Sequence, residues 1–319
     1  MSRFLIALCV SVCFVFSPCA LRAAESGEQD RVWLFSYFVG NGEDGLRLLW
    51  SRDGMNWNRY REGRSLLQPM VGQTEQLMRD PSIVQGPDGT FHMVWSVSWV
   101  GHEIGYASSP DLLNWSEQRA IPVMAHEPTA RNSWAPELFY DEVEEQFYII
   151  WASTIPGRFP ETAASSETEY NHRQYYTTTK DFKTFAPTAL YFDPGHNVID
   201  AYLTKHDGKY FLFYKDETLY PAEKKNIVLA IGPTPRGPFE PQGVISHDNW
   251  VEGPTAFRMG GNWIVYYDCY REGKFGAVRS SDGKNWENIT PKISVPREVR
   301  HGTIFSVDFA TFQRLMEAE

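Results

Sequence analysis

The sequence predicts an all-β fold, a five-bladed β-propeller of four-stranded antiparallel blades. A short motif recurs along the chain, with an Asp placed shortly before a Trp or Phe, and each copy follows a stretch of alternating apolar and aromatic residues. The copies are Ser51–Trp57, Ser109–Trp115, Thr179–Phe185 and Ser280–Trp286, with a weaker one at Gly232–Phe239. Repeats of roughly 40–50 residues are typical of propellers, in which each repeat forms one four-stranded unit.

The strands of each repeat are short runs rich in Val, Ile, Tyr, Phe and Trp, bounded by Gly, Pro, Asn and Asp. This pattern is typical of strands joined by tight turns, and few segments show helical periodicity. Central strands are predicted at Phe91–Val97, Phe147–Trp151, Tyr210–Tyr214 and Trp263–Tyr267. Third strands are predicted at Ile104–Ser108, Arg173–Thr178, Asn226–Ile231 and Phe275–Ser280.

Five further segments are predicted to be innermost strands, because each starts with a polar residue beside a small residue or proline. They begin at Arg79, Trp134, Ile199, Val251 and Arg300. The last one is not followed by the rest of a blade, whereas Val32–Phe38 and Leu46–Ser51 have no innermost strand before them. We therefore expect strands from both termini to close the last blade, which would pair edges that otherwise invite aggregation.

Two longer segments interrupt the repeats, Ile155–Asn171 and Gly63–Met78. Loops of this length in a compact fold are commonly functional. We expect both to lie at the rim of the axial mouth.

The first residues differ in character from the rest of the chain. A charged start is followed by the apolar run Phe4–Phe16 and by small residues at Ala20–Ala24. This order is typical of a secretory signal, and the apolar run is shorter than a membrane span. We expect residues 1–24 to be a signal peptide and residues 25–319 a single five-bladed β-propeller domain without a membrane span, secreted or periplasmic. A single anchor helix is the alternative.

The charge and the cysteines narrow the possible partners and compartments. The net charge is −10 and the sequence has no basic block, which argues against a nucleic-acid partner. Of the 4 cysteines only Cys269 lies outside the predicted leader, so no internal disulfide is expected. Its aromatic neighbours favour a packing role.

The predicted innermost strands carry polar residues near their starts, which we expect to face the axis. These residues are Asp80, Glu137, Asp200, Glu252 and His301. Crowded carboxylates have separated pKa values, and glycoside hydrolysis needs one protonated and one ionised carboxyl group. Any one of these residues alone could be a turn residue, but the set at equivalent positions favours a functional site.

These segments together resemble those of family 43 glycoside hydrolases, five-bladed propellers that include α-L-arabinofuranosidases, β-xylosidases and arabinanases. The segments are Arg79–Ile83, Ser133–Glu137, Ile199–Asp200, Val251–Thr255 and Arg300–Gly302. The resemblance implies that Asp80 is the general base, Glu252 the general acid, and Asp200 the carboxylate that raises the pKa of the acid and orients it. It also implies that Arg300 contacts the sugar and that His301 holds an axial metal ion, often calcium, or water.

The implied mechanism carries geometric and electrostatic expectations. Inversion needs room for a water molecule, so the carboxyl groups of Asp80 and Glu252 should lie roughly 6.5–9.5 Å apart. Glu252 needs a raised pKa, which Asp200 would supply. The chemistry itself requires no cofactor. Two interpretations of His301 remain open: it holds a structural Ca²⁺ in the central channel, or it is a hydrogen-bonded channel histidine without a metal.

Aromatic residues near the predicted rim are expected to stack on a sugar. They are Trp134, Trp99 and Phe38, and Glu137 is a further candidate for substrate contact. The expected function is an inverting glycosidase that removes terminal arabinofuranosyl residues, or xylosyl residues as the second choice, from plant-type polysaccharide fragments. The alternatives are a non-catalytic carbohydrate-binding propeller and an endo-acting arabinanase of the same fold.

Overall fold

Five four-stranded antiparallel sheets are present in the computed structural model, which describes residues 31–166 and 170–318. The predicted signal peptide lies outside the described residues. The first strands in the chain are β1 (Arg31–Tyr37), β2 (Arg47–Ser51) and β3 (Asn58–Arg59). The first complete blade contains β4 (Arg79–Gln85), β5 (Phe91–Ser96), β6 (Ile104–Ser109) and β7 (Arg119–Ile121).

The next three blades repeat this order from the axis outward. The second contains β8 (Trp134–Asp141), β9 (Gln146–Ser153), β10 (Arg173–Thr179) and β11 (Ala189–Phe192). The third contains β12 (Val198–His206), β13 (Lys209–Asp216), β14 (Asn226–Gly232) and β15 (Glu240–Val244). The fourth contains β16 (Glu252–Met259), β17 (Asn262–Cys269), β18 (Lys274–Ser280) and β19 (Glu287–Asn288). The predicted five-bladed propeller is confirmed.

The fifth blade is built from both ends of the chain. Strand β20 (Ile304–Asp308) lies innermost and pairs antiparallel with β1, with Leu34 opposite Phe305. Strands β2 and β3 complete the sheet. The predicted closure is therefore confirmed, and it joins the innermost strand of the C-terminal segment to the outer strands of the N-terminal segment.

The repeated Asp motif forms a turn that is held by its own side chain. In the first copy, Asp53 Oδ1 accepts hydrogen bonds from the backbone N–H groups of Met55 and Asn56. Asp111, Asp181 and Asp282 accept the equivalent pairs of bonds. Such Asx turns satisfy the backbone where the chain reverses, which explains why the motif follows the third strand of each repeat.

A β-bulge at the start of each of four innermost strands aims side chains toward the axis. The register shifts between Arg79 and Ser82, Trp134 and Glu137, Ile199 and Tyr202, and Glu252 and Thr255. One residue inside each bulge has a positive φ, and these residues are Asp80 (53°), Ala135 (46°), Asp200 (53°) and Gly253 (57°). Bulges locally bend a strand and redirect its side chains, often beside functional sites.

The chain ends in a helix that the sequence analysis does not predict. Helix α1 (Phe309–Glu317) begins after Asp308, whose side chain accepts a hydrogen bond from Thr311 N as an N-cap. Phe312 and Leu315 are buried in a cluster between the terminal blade and the first complete blade. Among residues 31–166 and 170–318, no helix has the length and apolar character that crossing a bilayer requires.

Cys269 is buried at the end of β17. It packs in an apolar cluster with Trp263 and Val265, as the sequence predicts. Burial raises the pKa of its thiol to about 12, which keeps the sulfur protonated and unreactive.

Candidate active site

A cavity of about 680 Å³ opens at one end of the propeller axis, and all five blades contribute to its wall. Seven of the nine predicted site residues line it: Asp80, Trp99, Trp134, Asp200, Glu252, Arg300 and His301. A volume of this size suits a small ligand such as one or two sugar units. The predicted convergence of carboxylates from different blades at one concave site is thus present in the structure.

The carboxylates do not all occupy the same repeat position. Asp80 and Asp200 are the positive-φ residues of their bulges, whereas Glu252 precedes the bulge glycine Gly253 and Glu137 lies beyond its own bulge. The expectation of one shared position is therefore wrong in detail. The difference matters because a shift of one residue along a strand changes the direction of the side chain.

Asp80 and Asp200 flank the imidazole of His301. The Nδ1 atom of His301 lies 3.4 Å from Asp80 Oδ1 and 3.8 Å from Asp200 Oδ2. Ser96 Oγ donates a hydrogen bond of 2.7 Å to Asp80 Oδ2, and Gly253 N donates one of 3.0 Å to Asp200 Oδ2. Each carboxylate is thus held by one neutral donor and faces one nitrogen that can become charged.

Because Gly253 has no side chain, the ring of His301 can occupy the space beside it. A Cβ atom at this glycine would lie 2.2 Å from His301 Cγ, far closer than two carbons can approach. The glycine also adopts a φ of 57°, a left-handed conformation that costs other residues energy. The Val251–Thr255 segment therefore needs its glycine for the packing of the central histidine.

Asp200 is the cavity carboxyl group with a raised pKa. Burial is the main cause, and the nearby charges of Glu252 and Asp80 add to it, whereas His301 and Lys215 oppose it. The balance raises the pKa of Asp200 to about 6. Asp200 therefore begins to hold a proton under mildly acidic conditions.

Glu252 has the opposite electrostatic surroundings. Its Oε2 lies 3.2 Å from Lys215 Nζ, and its Oε1 accepts a hydrogen bond of 2.9 Å from Arg300 Nη2. Burial by itself would raise the pKa of Glu252, but Lys215, Arg300 and His301 together lower it below the ordinary value. The predicted raised pKa is therefore wrong for the free protein, because two cations each hold one carboxylate oxygen.

Lys215 and Asp268 are site residues that the sequence analysis does not identify. Lys215 is only 2% exposed and is the penultimate residue of the central strand β13, and its Nζ lies 2.8 Å from Glu217 Oε2. Asp268 Oδ2 accepts a hydrogen bond of 2.7 Å from Arg300 Nε. Burial, followed by the charge of Glu252, raises the pKa of Asp268 to about 6. A charged residue near the end of a buried aromatic strand is the sequence signal that could have revealed both.

Glu137 lies outside the cavity wall, deeper along the axis. It is 6% exposed, and its Oε2 accepts hydrogen bonds from Ser82 Oγ (2.8 Å) and Thr303 Oγ1 (3.4 Å). Burial raises the pKa of its carboxyl group to about 8, while the two hydroxyl groups act weakly in the other direction. The described lining residues of the cavity do not include Glu137, so its expected contact with the substrate is not supported.

Phe38 is likewise absent from the described lining residues, because it is fully buried. Two guanidinium groups lie over its ring, that of Arg79 at 4.7 Å and that of Arg300 at 5.6 Å from the centroid. Phe38 therefore supports the arginines of the cavity instead of presenting its ring to a sugar.

The rim of the cavity carries a run of aromatic rings contributed by the first two complete blades. Trp99 is 41% exposed and meets Trp134 edge to face at 5.7 Å, and Trp134 Nε1 donates to Trp99 O. Tyr170 continues the run, 4.9 Å from Trp134 and stacked on His172 at 5.3 Å. Such rings offer flat apolar faces to the C–H faces of a sugar.

The two long segments differ in their relation to the cavity. Ser166 and Tyr170 of Ile155–Asn171 line it, which confirms the prediction for that segment. Residues 63–78, all of which the structure describes, do not contribute to the lining. They lie behind the rim instead, where Glu75 Oε2 accepts hydrogen bonds from Trp99 N and Ser98 Oγ. The second segment therefore supports Trp99 from outside.

The donor set around His301 does not match a calcium shell. Ca²⁺ takes six to eight oxygen ligands from carboxylates, carbonyl groups and water. The imidazole Nδ1 instead faces two carboxylates that Ser96 and Gly253 already hold. Within the described ranges, no group of three or more His, Cys, Asp or Glu side chains is arranged to hold a metal ion. The catalytic steps proposed for this site use protein side chains and water alone.

Comparisons with known proteins agree with this architecture. An α-L-arabinofuranosidase of Bifidobacterium longum subsp. longum is 26% identical over 138 residues, a match that covers 39% of this chain and only 13% of that protein. An α-L-arabinofuranosidase of Lactobacillus brevis superposes with a TM-score of 0.53 at 19% identity, covering 66% of this chain and 72% of its own.

A further solved structure extends the similarity in fold beyond arabinofuranosidases. A family 117 glycoside hydrolase of the marine bacterium Zobellia galactanivorans superposes with a TM-score of 0.53 at 16% identity, over 84% of this chain and 77% of its own. A family model described as a probable glycosyl hydrolase domain matches residues 28–312. The chain therefore belongs to the glycosyl hydrolase 43-related family.

Proposed function

We propose that this protein is an inverting glycoside hydrolase that releases terminal arabinofuranosyl residues, or xylosyl residues as the second choice, from plant-type polysaccharide fragments. One observation carries the proposal: Asp80, Asp200 and Glu252, from three different blades, line one cavity rimmed by Trp99 and Trp134. Paired carboxylates in a concave site fit the hydrolysis of a glycosidic bond. The preference for arabinose is supported by the similarity to two α-L-arabinofuranosidases.

Asp80 acts as the general base in this proposal. The hydrogen bond from Ser96 Oγ fixes Oδ2, so the carboxylate has a defined orientation. Its ionised form accepts a proton from the attacking water, and its other oxygen, Oδ1, lies 3.4 Å from Nδ1 of His301.

Glu252 acts as the general acid, and it must therefore gain a proton on the way to the reactive complex. Arg300 lines the cavity and holds Glu252 in the free protein. A bound sugar offers hydroxyl acceptors to Arg300, and loss of this ion pair raises the pKa of Glu252. Asp200, which interacts electrostatically with Glu252, adds to the rise as it ionises. The proton then passes from Glu252 to the leaving oxygen while water attacks the anomeric carbon.

The test is hydrolysis of 4-nitrophenyl α-L-arabinofuranoside and 4-nitrophenyl β-D-xyloside by the wild type, with the anomeric configuration of the first product followed by ¹H NMR. We expect turnover with inversion on at least one of them, and loss of turnover in Asp80→Asn. Binding of arabinose or xylose without turnover of either glycoside, or of the corresponding oligosaccharides, would leave the non-catalytic binding propeller as the better account. Cleavage inside longer arabinan chains would instead identify an endo-acting arabinanase.

We also propose that the protein acts outside the cytoplasm, on the basis of the charged, apolar and small-residue order of residues 1–24. N-terminal sequencing of the protein purified from its native host should find a start near residue 25. A mature chain that begins at Met1 contradicts this.

A further inference from the structure

The cavity collects cations although the whole chain is strongly acidic. Four carboxylates line the cavity (Asp80, Asp200, Glu217 and Glu252), together with five cationic side chains, namely Arg79, Lys215, Lys225, Arg271 and Arg300, whereas the chain carries a net charge of −10. A cation that no carboxylate neutralises in a concave site attracts anionic ligands. A cation can bind an anionic ligand only if the protein does not already neutralise it.

Most of the five are committed to partners within the site. Lys215 and Arg300 pair with Glu252, and Lys225 pairs with Glu217. Arg79 donates to the backbone and side-chain oxygens of Asn41. Within the described residues, Arg271 has neither a carboxylate within 4.0 Å nor a hydrogen-bond acceptor.

Arg271 nevertheless contacts an aromatic ring. Its guanidinium carbon lies over the face of the Trp250 ring, 3.0 Å from the centroid. Stacking of this kind uses the face of the guanidinium group and leaves its N–H edges available. The Nζ atom of Lys225 lies 5.5 Å from the same ring, so two positive charges share one indole.

The position of this pair gives the cavity two unlike sides. Trp99, Trp134 and Tyr170 come from the first and second complete blades, whereas Trp250 and Arg271 adjoin the fourth. A sugar can therefore stack on the first side while a charged substituent reaches the second. A planar, preoriented guanidinium fork matches the two oxygens of a carboxylate, which it binds through paired hydrogen bonds.

We propose that the natural substrate is an acidic glycan, in which a hexuronic acid near the scissile bond presents its carboxylate to Arg271. That this glycan is hydrolysed rests on the proposed function. Recognition of its carboxylate by Arg271 is a binding property that can be measured without turnover. Arg271 is a specificity residue in this account and takes no part in proton transfer.

The experiment is isothermal titration calorimetry in an Asp80→Asn background, so that turnover does not consume the ligand. The probes are xylo- and arabino-oligosaccharides that each bear one glucuronic or galacturonic acid, beside the same oligosaccharides after chemical reduction of the carboxyl group. At low salt we expect at least one acidic probe to bind roughly tenfold more tightly than its reduced form. The difference should shrink as salt rises.

Three variants assign that difference to Arg271. In Arg271→Gln the preference for the acidic probe should disappear, while binding of the reduced probe stays within about twofold of the parent. Arg271→Lys should keep only part of the preference, because a point charge lacks the fork. Arg279→Gln is the matched control, since Arg279 is a partly exposed arginine of the same blade that pairs with Glu287 on the outer strands.

Clear outcomes overturn the proposal. Equal binding of every acidic probe and its reduced form, or an Arg271→Gln variant that weakens both forms alike, contradicts it. Tighter binding of a sulfated oligosaccharide than of any uronic one shows that the group recognised is a sulfate, and rejects the carboxylate. If acidic probes bind in an Arg271-dependent way but the wild type hydrolyses none of them, only the proposed function is refuted. If neutral glycosides are turned over and acidic probes are not preferred, only this inference is refuted.

Discussion

Glu137 and Glu252 lie close to the same axis, yet their surroundings leave them in opposite charge states. Burial pushes the pKa of both upward. Glu252 meets two cations and its pKa falls below the ordinary value, whereas Glu137 meets two hydroxyl groups and its pKa rises to about 8. The comparison teaches that the partners of a buried carboxyl group, and not its place near a channel, decide whether it can take part in acid–base chemistry.

The largest contrast expected between the two glutamates is in turnover. Glu252→Gln should lower kcat/KM on an unactivated oligosaccharide by up to about 10⁴-fold, because the leaving oxygen loses its proton donor. The loss should be much smaller on a 4-nitrophenyl glycoside, whose phenolate leaves without a proton. Glu137→Gln keeps the neutral hydrogen-bonding shape of a protonated carboxyl group, so its kcat/KM should stay within about threefold of the wild type.

Initial rates of both variants on both substrates check this prediction. A Glu137→Gln protein that folds normally but loses as much activity as Glu252→Gln would end the distinction between the two residues. A Glu252→Gln protein that is impaired equally on both substrates would remove Glu252 from the role of acid.

The next contrast is in stability against pH. The pKa of Glu137 rises from 4.5 to about 8 on folding, so the folded state holds this proton more tightly than the unfolded chain does. The contribution is complete below pH 4.5 and is lost as pH rises toward 8, which amounts to a few kcal/mol and at most about 5 kcal/mol by linkage. Glu137→Gln cannot lose a proton, so its free energy of unfolding should decline less over this range.

Urea unfolding at pH 5, 6.5 and 8 measures the difference between wild type and variant at each pH. Asp200 and Asp268 also have raised pKa values and act in the same direction, but they are common to both proteins and cancel in the difference. Glu142→Gln, a change at an exposed glutamate, serves as the control. If the free energies of unfolding of wild type and Glu137→Gln change in parallel with pH, the buried carboxyl group of Glu137 is not held in its neutral form.

A third test disturbs the cavity side of the comparison while leaving Ser82 and Glu137 in place. Gly253→Ala places a Cβ 2.2 Å from His301 Cγ, so the imidazole between Asp80 and Asp200 must move. Gly260→Ala is a matched control, because Gly260 has a φ of 55° but no atom within 4 Å of the added Cβ. Gly253→Ala should be less stable than Gly260→Ala by roughly 1–3 kcal/mol and should lose activity.

Thermal unfolding of the two alanine variants, with kcat/KM measured at a temperature where both are folded, separates the clash from the cost of a positive φ. Equal stability and equal activity of the two variants would show that the contact between Gly253 and His301 has no consequence.

The strand order and the closure of the terminal blade follow from the sequence because each repeat carries the same alternation and the same turn chemistry. Helix α1 is missed although Asp308 and Thr311 form a readable N-cap, since the repeat pattern assigns the end of the chain to a strand. The cavity acids are recognisable because their local motifs resemble those of a known family.

The electrostatics of the cavity are harder to predict because they depend on contacts between strands. Lys215 follows an apolar aromatic run and lies opposite Ile199 in the strand register. Asp268 lies opposite Glu252 in the same way. Both lie near the end of a central strand. Only pairing across the sheet shows which innermost-strand residue each one faces, and only the contact between blades brings Lys215 to Glu252.

The smallest expected effect, and the sharpest test of this point, comes from removing one cation from Glu252. Lys215→Met should raise the pKa of Glu252, because Lys215 is the strongest influence that lowers it. A general acid in the free protein then keeps its proton to higher pH, so the basic limb of the kcat/KM profile should move up by roughly one pH unit. Glu217 retains Lys225 as a partner, which limits the damage to folding.

The matched control is Lys292→Met, which removes a lysine whose partner is Glu287 at the outer edge of the fourth blade. Its pH profile should coincide with that of the wild type. A basic limb that moves down in Lys215→Met, or stays in place while the protein remains folded, means that the group titrating on that limb is not Glu252. The assignment of the acid would then pass to Asp200, whose pKa of about 6 already favours a proton.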